Sequence, residues 1–179
     1  MSQTTAIAAV TTTLRDVIQV SFLTLGAEDP HMADVMVSTL PLDRARTVHH
    51  RGQLNLTLAT VSENPSARNA VGLGARAITP PGSQALDLVY LITAYGADDD
   101  DIGAQRVLGA ALRTVAERPV LPPIDLEGLF PNTGATGTLE QVRVMLAPLT
   151  REQIVAWWLA FHTPYRLSAA LQVTGLSLG

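Results

Sequence analysis

Residues 85–95, ALDLVYLITAY, are apolar at nearly every position and carry a single charge, Asp87. A near-continuous apolar run of this length reads as a strand with both faces covered, which places it in the middle of a sheet packed on its two sides. Working outward, Leu54, Leu56 and Leu58 alternate with Asn55, Thr57 and Ala59 until Asn64 and Pro65 break the pattern, so a second, half-buried strand precedes the first. Between them, residues 63–84 are rich in Gly, Pro, Asn and Ser and carry Arg68 and Arg76; a loop of that length is expected to be an interaction element. After the strand, Asp98, Asp99, Asp100 and Asp101 open a helical pattern that runs from Ile102 to Val115 and stops at Pro119.

Toward the ends of the chain the same periodicities recur. Ile7, Val10, Leu14, Val17, Ile18, Phe22 and Leu25 form one helical stripe that stops at Gly26, and residues 33–38 read as a short strand. A second long loop is expected over residues 121–138, followed by a strand over 139–146. Thr150 and Gln153 have the spacing of a capping box, ahead of a helix with Ile154, Trp157, Trp158 and Phe161 on a bulky face. Residues 165–173 alternate strictly, so Tyr165, Leu167, Ala169, Leu171 and Val173 form an apolar face expected to pack on that last helix. The expectation is one α/β (α+β) domain over residues 1–179: a single mixed sheet of about five strands flanked by about three helices.

Composition excludes several classes of function. The chain has 179 residues, about the length of one domain, and no cysteine, which removes disulfides, thiolate metal sites and a cysteine nucleophile. A net charge of −4 with 12 Lys plus Arg gives no basic field for a phosphate backbone, so nucleic acid is not an expected partner. No uninterrupted apolar run reaches the roughly 18 residues of a membrane span, and the first, at residues 6–10, is too short and polar in its sequel for a signal core. No membrane partner is expected, and the expected location is the cytoplasm.

Candidate chemistry fails on context. Gly175, Ser177 and Gly179 match the nucleophile elbow by letter, yet that motif needs a strand-to-helix turn with acid and histidine later in the chain. His31, His49, His50 and His162 lack a second ligand at helical spacing, and the four aspartates lack the alternation of a calcium loop. Gly72 and Gly74 lead to Pro80 and Pro81 instead of a helix, so no phosphate cradle follows. No catalytic, cofactor-binding or metal residue is assigned.

Six strings carry a resemblance: STLPLDRAR (residues 38–46), QLNLTLATVSENPSARN (53–69), ALDLVYLITAYG with its following acids (85–101), VLGAALRTVAERPVL (107–121), EQVRVMLAPLTREQIVAWWLAF (140–161) and TPYRLSAALQV (163–173). In this order they resemble the N-terminal domain of cap, or tail-terminator, proteins of extracellular contractile injection systems of the virulence-cassette and antifeeding-prophage type. Thr57 and Ala67 depart from that family, which tends to carry an aromatic and a bulky residue there. The resemblance implies a phage tail-terminator-like fold and a non-enzymatic subunit without cofactor. It also implies a homohexamer ring that ends the inner tube and anchors the last sheath layer, with sheath and inner tube subunits as partners.

Residues expected at contacts are Arg68, Asn69 and Arg76 in the first long loop, Trp158 on the last helix, and Leu171, Val173, Leu176 and Leu178 at the C-terminal end. Beyond Val173 the chain is small and apolar, without charge or proline, and is expected to offer an open edge for strand addition. Removing residues 175–179 is accordingly expected to leave stability nearly unchanged. The residues alone leave open a small-molecule-binding or hydrolytic α/β domain walled by the two long loops, and a general partner-binding adaptor.

Overall fold

The computed structural model describes residues 5–47, 49–64 and 84–178. Its elements in chain order are α1 (Ala6–Leu25), α2 (Pro30–Ala33), β1 (Met36–Ser38), β2 (Gln53–Glu63), β3 (Gln84–Tyr95), α3 (Asp101–Glu117), β4 (Ile124–Asp125), α4 (Leu126–Leu129), β5 (Thr138–Leu139), β6 (Arg143–Leu146), α5 (Arg151–Ala160) and β7 (Ser168–Leu178). Five strands form one sheet in the order β1-β2-β3-β7-β6, and β4 pairs with β5 apart from it. β1 runs parallel to β2 and the other neighbours are antiparallel, so the sheet is mixed as expected, with β3 at its centre.

One face of the sheet carries Leu54, Leu56, Leu88, Tyr90, Ile92, Leu171 and Val173, and all join a main core with the α1 stripe of Ala6, Ala9, Val10, Leu14, Ile18 and Phe22. Val107, Leu108, Ala111 and Val115 of α3 complete that core. By length and composition alone α1 is apolar enough to cross a membrane. Its stripe is buried in this core instead, and its polar positions are tied to neighbours: Thr11 Oγ1 to Tyr90 Oη at 2.8 Å, and Ser21 Oγ to Thr114 Oγ1 at 2.8 Å. The opposite face has a smaller core of Leu42, Leu91 and Trp158, with Ile154, Trp157 and Phe161 of α5 and its exit packed around it.

Several expectations are corrected. The first strand does not reach back to Ala33, because Pro30 at the helix start and Asp29, whose carboxylate accepts from His31 N–H, make a helical turn there. β2 is not half-buried at its start, where Gln53 through Thr57 are all buried. The loop over 121–138 is not structureless: β4, α4 and β5 lie within or at its end, and Leu121, Ile124, Leu126 and Ala135 are buried in the main core. The strand expected over 139–146 is interrupted at Gln141, which has φ of 60°.

The C-terminal segment departs most. β7 starts at Ser168, leaves Tyr165 and Leu167 half exposed, and runs on to Leu178 beside β3. Leu171 and Val173 face α1, whereas α5 sits over Leu91, whose cross-strand partner is Ala170. The expected packing of Leu171 and Val173 on α5 is therefore on the wrong face. Between the pairs Leu86–Leu176 and Leu88–Val173, β7 carries one residue more than β3. Gly175 sits in that bulge at φ of 85°, and a Cβ there would lie 2.6 Å from the Gln141 carbonyl oxygen. The extra residue reverses the alternation and returns Leu176, 1% exposed, to the core face. Residues 176–178 are thus paired with β3 and are not a free tail, while β6 on the other side pairs with β7 only over Leu171–Thr174.

Backbone groups on the outer sides of the two edge strands, β1 and β6, have partners. Gln19 of α1 donates from Nε2 to Val35 O and accepts from Val37 N–H, each at 2.9 Å, so one side-chain amide takes the two outward backbone groups that flank Met36. At the other edge, Val144 N–H bonds Pro119 O and Leu121 N–H bonds Val142 O. Since a buried backbone group without a partner costs about 1–3 kcal/mol, Gln19→Ala is expected to lower stability by about 2 kcal/mol or more in urea unfolding, whereas an exposed Gln105→Ala changes it little. Deleting residues 175–179 removes buried Leu176 and is expected to cost at least about 2 kcal/mol, checked by the shift in thermal midpoint.

Candidate assembly surface

The second face of the sheet begins with a polar row. Gln53, Asn55 and Thr57 on β2, all buried, point toward residues 38–46, which run past the sheet without pairing in it beyond Ser38. A segment outside the sheet still needs partners for its backbone, and the row supplies them. Asn55 accepts from Leu40 N–H at 3.0 Å and donates to Leu40 O at 2.8 Å; Thr57 Oγ1 donates to the same carbonyl at 2.9 Å. Gln53 Nε2 donates to Ala45 O and to Ser38 Oγ, and its Oε1 accepts from Thr47 N–H at 3.2 Å.

The segment so fixed delivers Arg46 to the end of the sheet. Its guanidinium donates to the carbonyls of Arg51, His49 and Gly96 at 3.2, 2.9 and 2.8 Å and lies 5.3 Å from the Tyr95 ring centre. Arg166 lies 5.4 Å from the same ring, and its other partner is Asp99 at 3.9 Å. Gly96 is required here, because a Cβ would meet Asp100 O at 1.7 Å. Of the four aspartates, Asp98 and Asp99 occupy the left-handed region at φ of 49° and 62°, and Asp100 caps α3 by accepting from Ile102 N–H at 3.0 Å. Sequence reasoning does not single out Arg46, Tyr95 and Arg166. Their positions are far apart in the chain, and no spacing rule joins them.

Ionisable groups with displaced pKa values have structural causes. Burial lowers Arg46 and raises Tyr95, with the two arginines pulling Tyr95 back down. Burial pushes the Tyr90 hydroxyl up to about 12, partly offset by its hydrogen bond to Thr11. No group of three or more His, Asp or Glu is placed to hold a metal ion among the described residues. Ser177 lies inside β7 opposite Ala85, not on a strand-to-helix turn. His49 and His50 are exposed in a bend, His162 follows α5, and His31 lines a cleft of about 140 Å³ beside Arg106 and Asp29. A second cleft of about 260 Å³ runs between α3 and residues 165–167, lined by Leu108, Tyr165, Arg166 and Leu167.

Among the residues assigned to contacts from sequence, Arg68, Asn69, Arg76 and the side chain of Leu178 lie outside what is described. Trp158, Leu171, Val173 and Leu176 are at most 2% exposed, so their side chains are spent inside the chain. The large apolar side chains that do reach the surface include Leu159, Tyr165 and Leu167 around α5, Met145 and Leu146 on edge strand β6, and Val20 and Leu23 on α1.

The profile of a protein family described as the Pvc16 N-terminal domain matches residues 9–178. Among solved structures, the chain is similar to the PVC sheath/tube terminator of an extracellular contractile injection system in its extended state, with 18% identity and a TM-score of 0.59 over 97% of this chain. It is also similar to the tube-terminating cap of the anti-feeding prophage, with 16% identity and a TM-score of 0.55 over 100% of this chain. The chain spans 57% and 56% of those two chains, a little over half of each. No curated protein matches it.

Tyr90 supplies a test of the core that backs this surface. Its folded pKa of about 12 stands above the ordinary value of 10, so the stability it contributes is intact below pH 10 and is lost as pH rises from 10 to 12. Over that window the urea midpoint is expected to fall by the equivalent of about 2 kcal/mol, and Tyr90→Phe is expected to flatten the fall.

Proposed function

Because the chain belongs to the Pvc16 N-terminal domain family, we propose that it is a structural cap of a contractile injection system, ending the inner tube and meeting the last sheath layer. The observation that carries this reading is the family match across residues 9–178, together with a fold shared with a sheath/tube terminator and a tube-terminating cap. In this reading residues 1–179 act as one cap domain, assemble as a homohexamer ring, and have sheath and inner tube subunits as neighbours. In this reading the role is non-enzymatic; among the described residues Ser177 is paired inside β7 and no group of three or more His, Asp or Glu is placed to hold a metal ion.

Closed rings are built from heterologous interfaces, in which two different patches of the same subunit meet. Backbone groups at β1 and β6 already have partners, and the exposed apolar side chains around α5 and on β6 and α1 supply surfaces for such contacts. Arg68, Asn69 and Arg76 remain candidates in the stretch between β2 and β3. Electron microscopy of the protein mixed with sheath and tube subunits is expected to show a sixfold ring at the tube end, and a tube that stops growing there. A strict dimer both in solution and on the particle is the result that removes the ring.

A further inference from the structure

Helix α5 is attached to the fold differently from the other long helices. Of its ten residues only Trp158 is buried, and its seat is the small cluster with Leu42 and Leu91, separate from the main core. Among the described residues, no hydrogen bond or ion pair joins residues 151–161 to the sheet. Those they make are local: the reciprocal capping box of Thr150 and Gln153, the Arg151–Glu152 pair, Phe161 N–H to Trp157 O, and Thr163 N–H to Trp158 O. Docking also leaves the Trp158 indole N–H buried without an acceptor, and His162, just past the helix, sits in the left-handed region at φ of 52°. By contrast, α1 and α3 are tied to each other, and α1 to the sheet, by side-chain hydrogen bonds as well as by the main core.

We infer that α5 is a hinged unit that swings away from the sheet as an intact helix while the rest of the fold stays closed. Residues 148–150 and 161–164 lie outside the strands on either side of it and form the hinges, bounded by Ala147, whose N–H is bonded to Ala170 O of β7, and by Arg166, held at the Tyr95 ring and Asp99. The capping box holds the first turn together without help from the sheet, so opening does not require the helix to melt. Opening lets water reach the Trp158 N–H and relaxes the turn at His162, which offsets part of the lost contact with Leu42, Leu91 and the edge-on Tyr165 ring. Elements that move on binding come from the low-stability end of a fold, and two states of this kind give a partner something to select. The open state presents an apolar seat on the sheet and the bulky face of the helix.

Native-state hydrogen exchange of the whole chain tests this directly. Amides of residues 155–161 are expected to exchange at least about tenfold faster than those of residues 10–22 in α1, and by one common factor instead of a gradient from a frayed end. Leu42→Ala removes part of the seat without touching the main core and is expected to speed α5 exchange by about tenfold while leaving α1 unchanged. Equal protection of α5 and α1, or equal acceleration of both by Leu42→Ala, overturns the proposal.

Discussion

β3 has no solvent face over its second half: from Tyr90 to Tyr95 every residue is buried. A strand in that position must have both backbone edges paired and both side-chain faces covered, and the rest of the architecture answers those four demands. β2 and β7 take the edges, α1 and α3 take one face, and the other face is divided between α5 and residues 38–46. The division is unequal. The main core runs the length of α1 and draws in Leu121, Ile124 and Leu126 from the segment after α3, whereas the second face rests on the small cluster of Leu42, Leu91 and Trp158 and a polar row.

That polar row explains why an inner strand carries Gln53, Asn55 and Thr57 where apolar residues are the rule. Residues 39–46 cross the face without strand partners, so their amides and carbonyls need donors and acceptors from side chains. The amides of Gln53 and Asn55 offer both kinds at once, and they fix Ser38, Leu40, Ala45 and Thr47 in turn. The consequence is felt beyond the face itself, since Arg46 at the end of the segment reaches Gly96 and Tyr95 only if the segment is held in place. The strand end, the acidic turn before α3 and the approach to β7 are thereby linked around one tyrosine ring and its two guanidinium groups.

Elements with strong local patterns are legible in sequence: the stripe of α1, the apolar run of β3, the capping box before α5. What escapes depends on contacts between distant positions. The alternation over 165–173 identifies an apolar face in Leu171 and Val173 but does not say which layer it meets, because period two fixes sides relative to one another and not relative to a helix. Its reversal at Gly175, where the parity of Leu171 and Val173 gives way to that of Leu176, is a visible sign of a bulge that continues the strand. Pro122, Pro123 and Pro131 mark residues 121–138 as loop, and they obscure Ile124 and Leu126, which are buried in the main core. For the assembly surface, the six strings identify a family without identifying contacts, since Arg46, Tyr95 and Arg166 converge from three of those strings only in the folded chain.

The state of the strand edges bears on which contacts such a fold can offer. An open strand edge would pair with any extended chain and so risks association before a template is present. Here the outward groups at β1 are held by Gln19 and those at Val142 and Val144 by Leu121 and Pro119, while the exposed apolar side chains are scattered over α1, β6 and the surroundings of α5. A single small patch buries less area than a tight pairwise complex needs. A weak pairwise contact becomes effective when a template holds neighbours side by side, because each later contact is then intramolecular and the effective concentration is high. Edge groups held at β1 and β6, with the apolar side chains dispersed, therefore suit contacts that are weak in pairs and take hold where a template brings copies together.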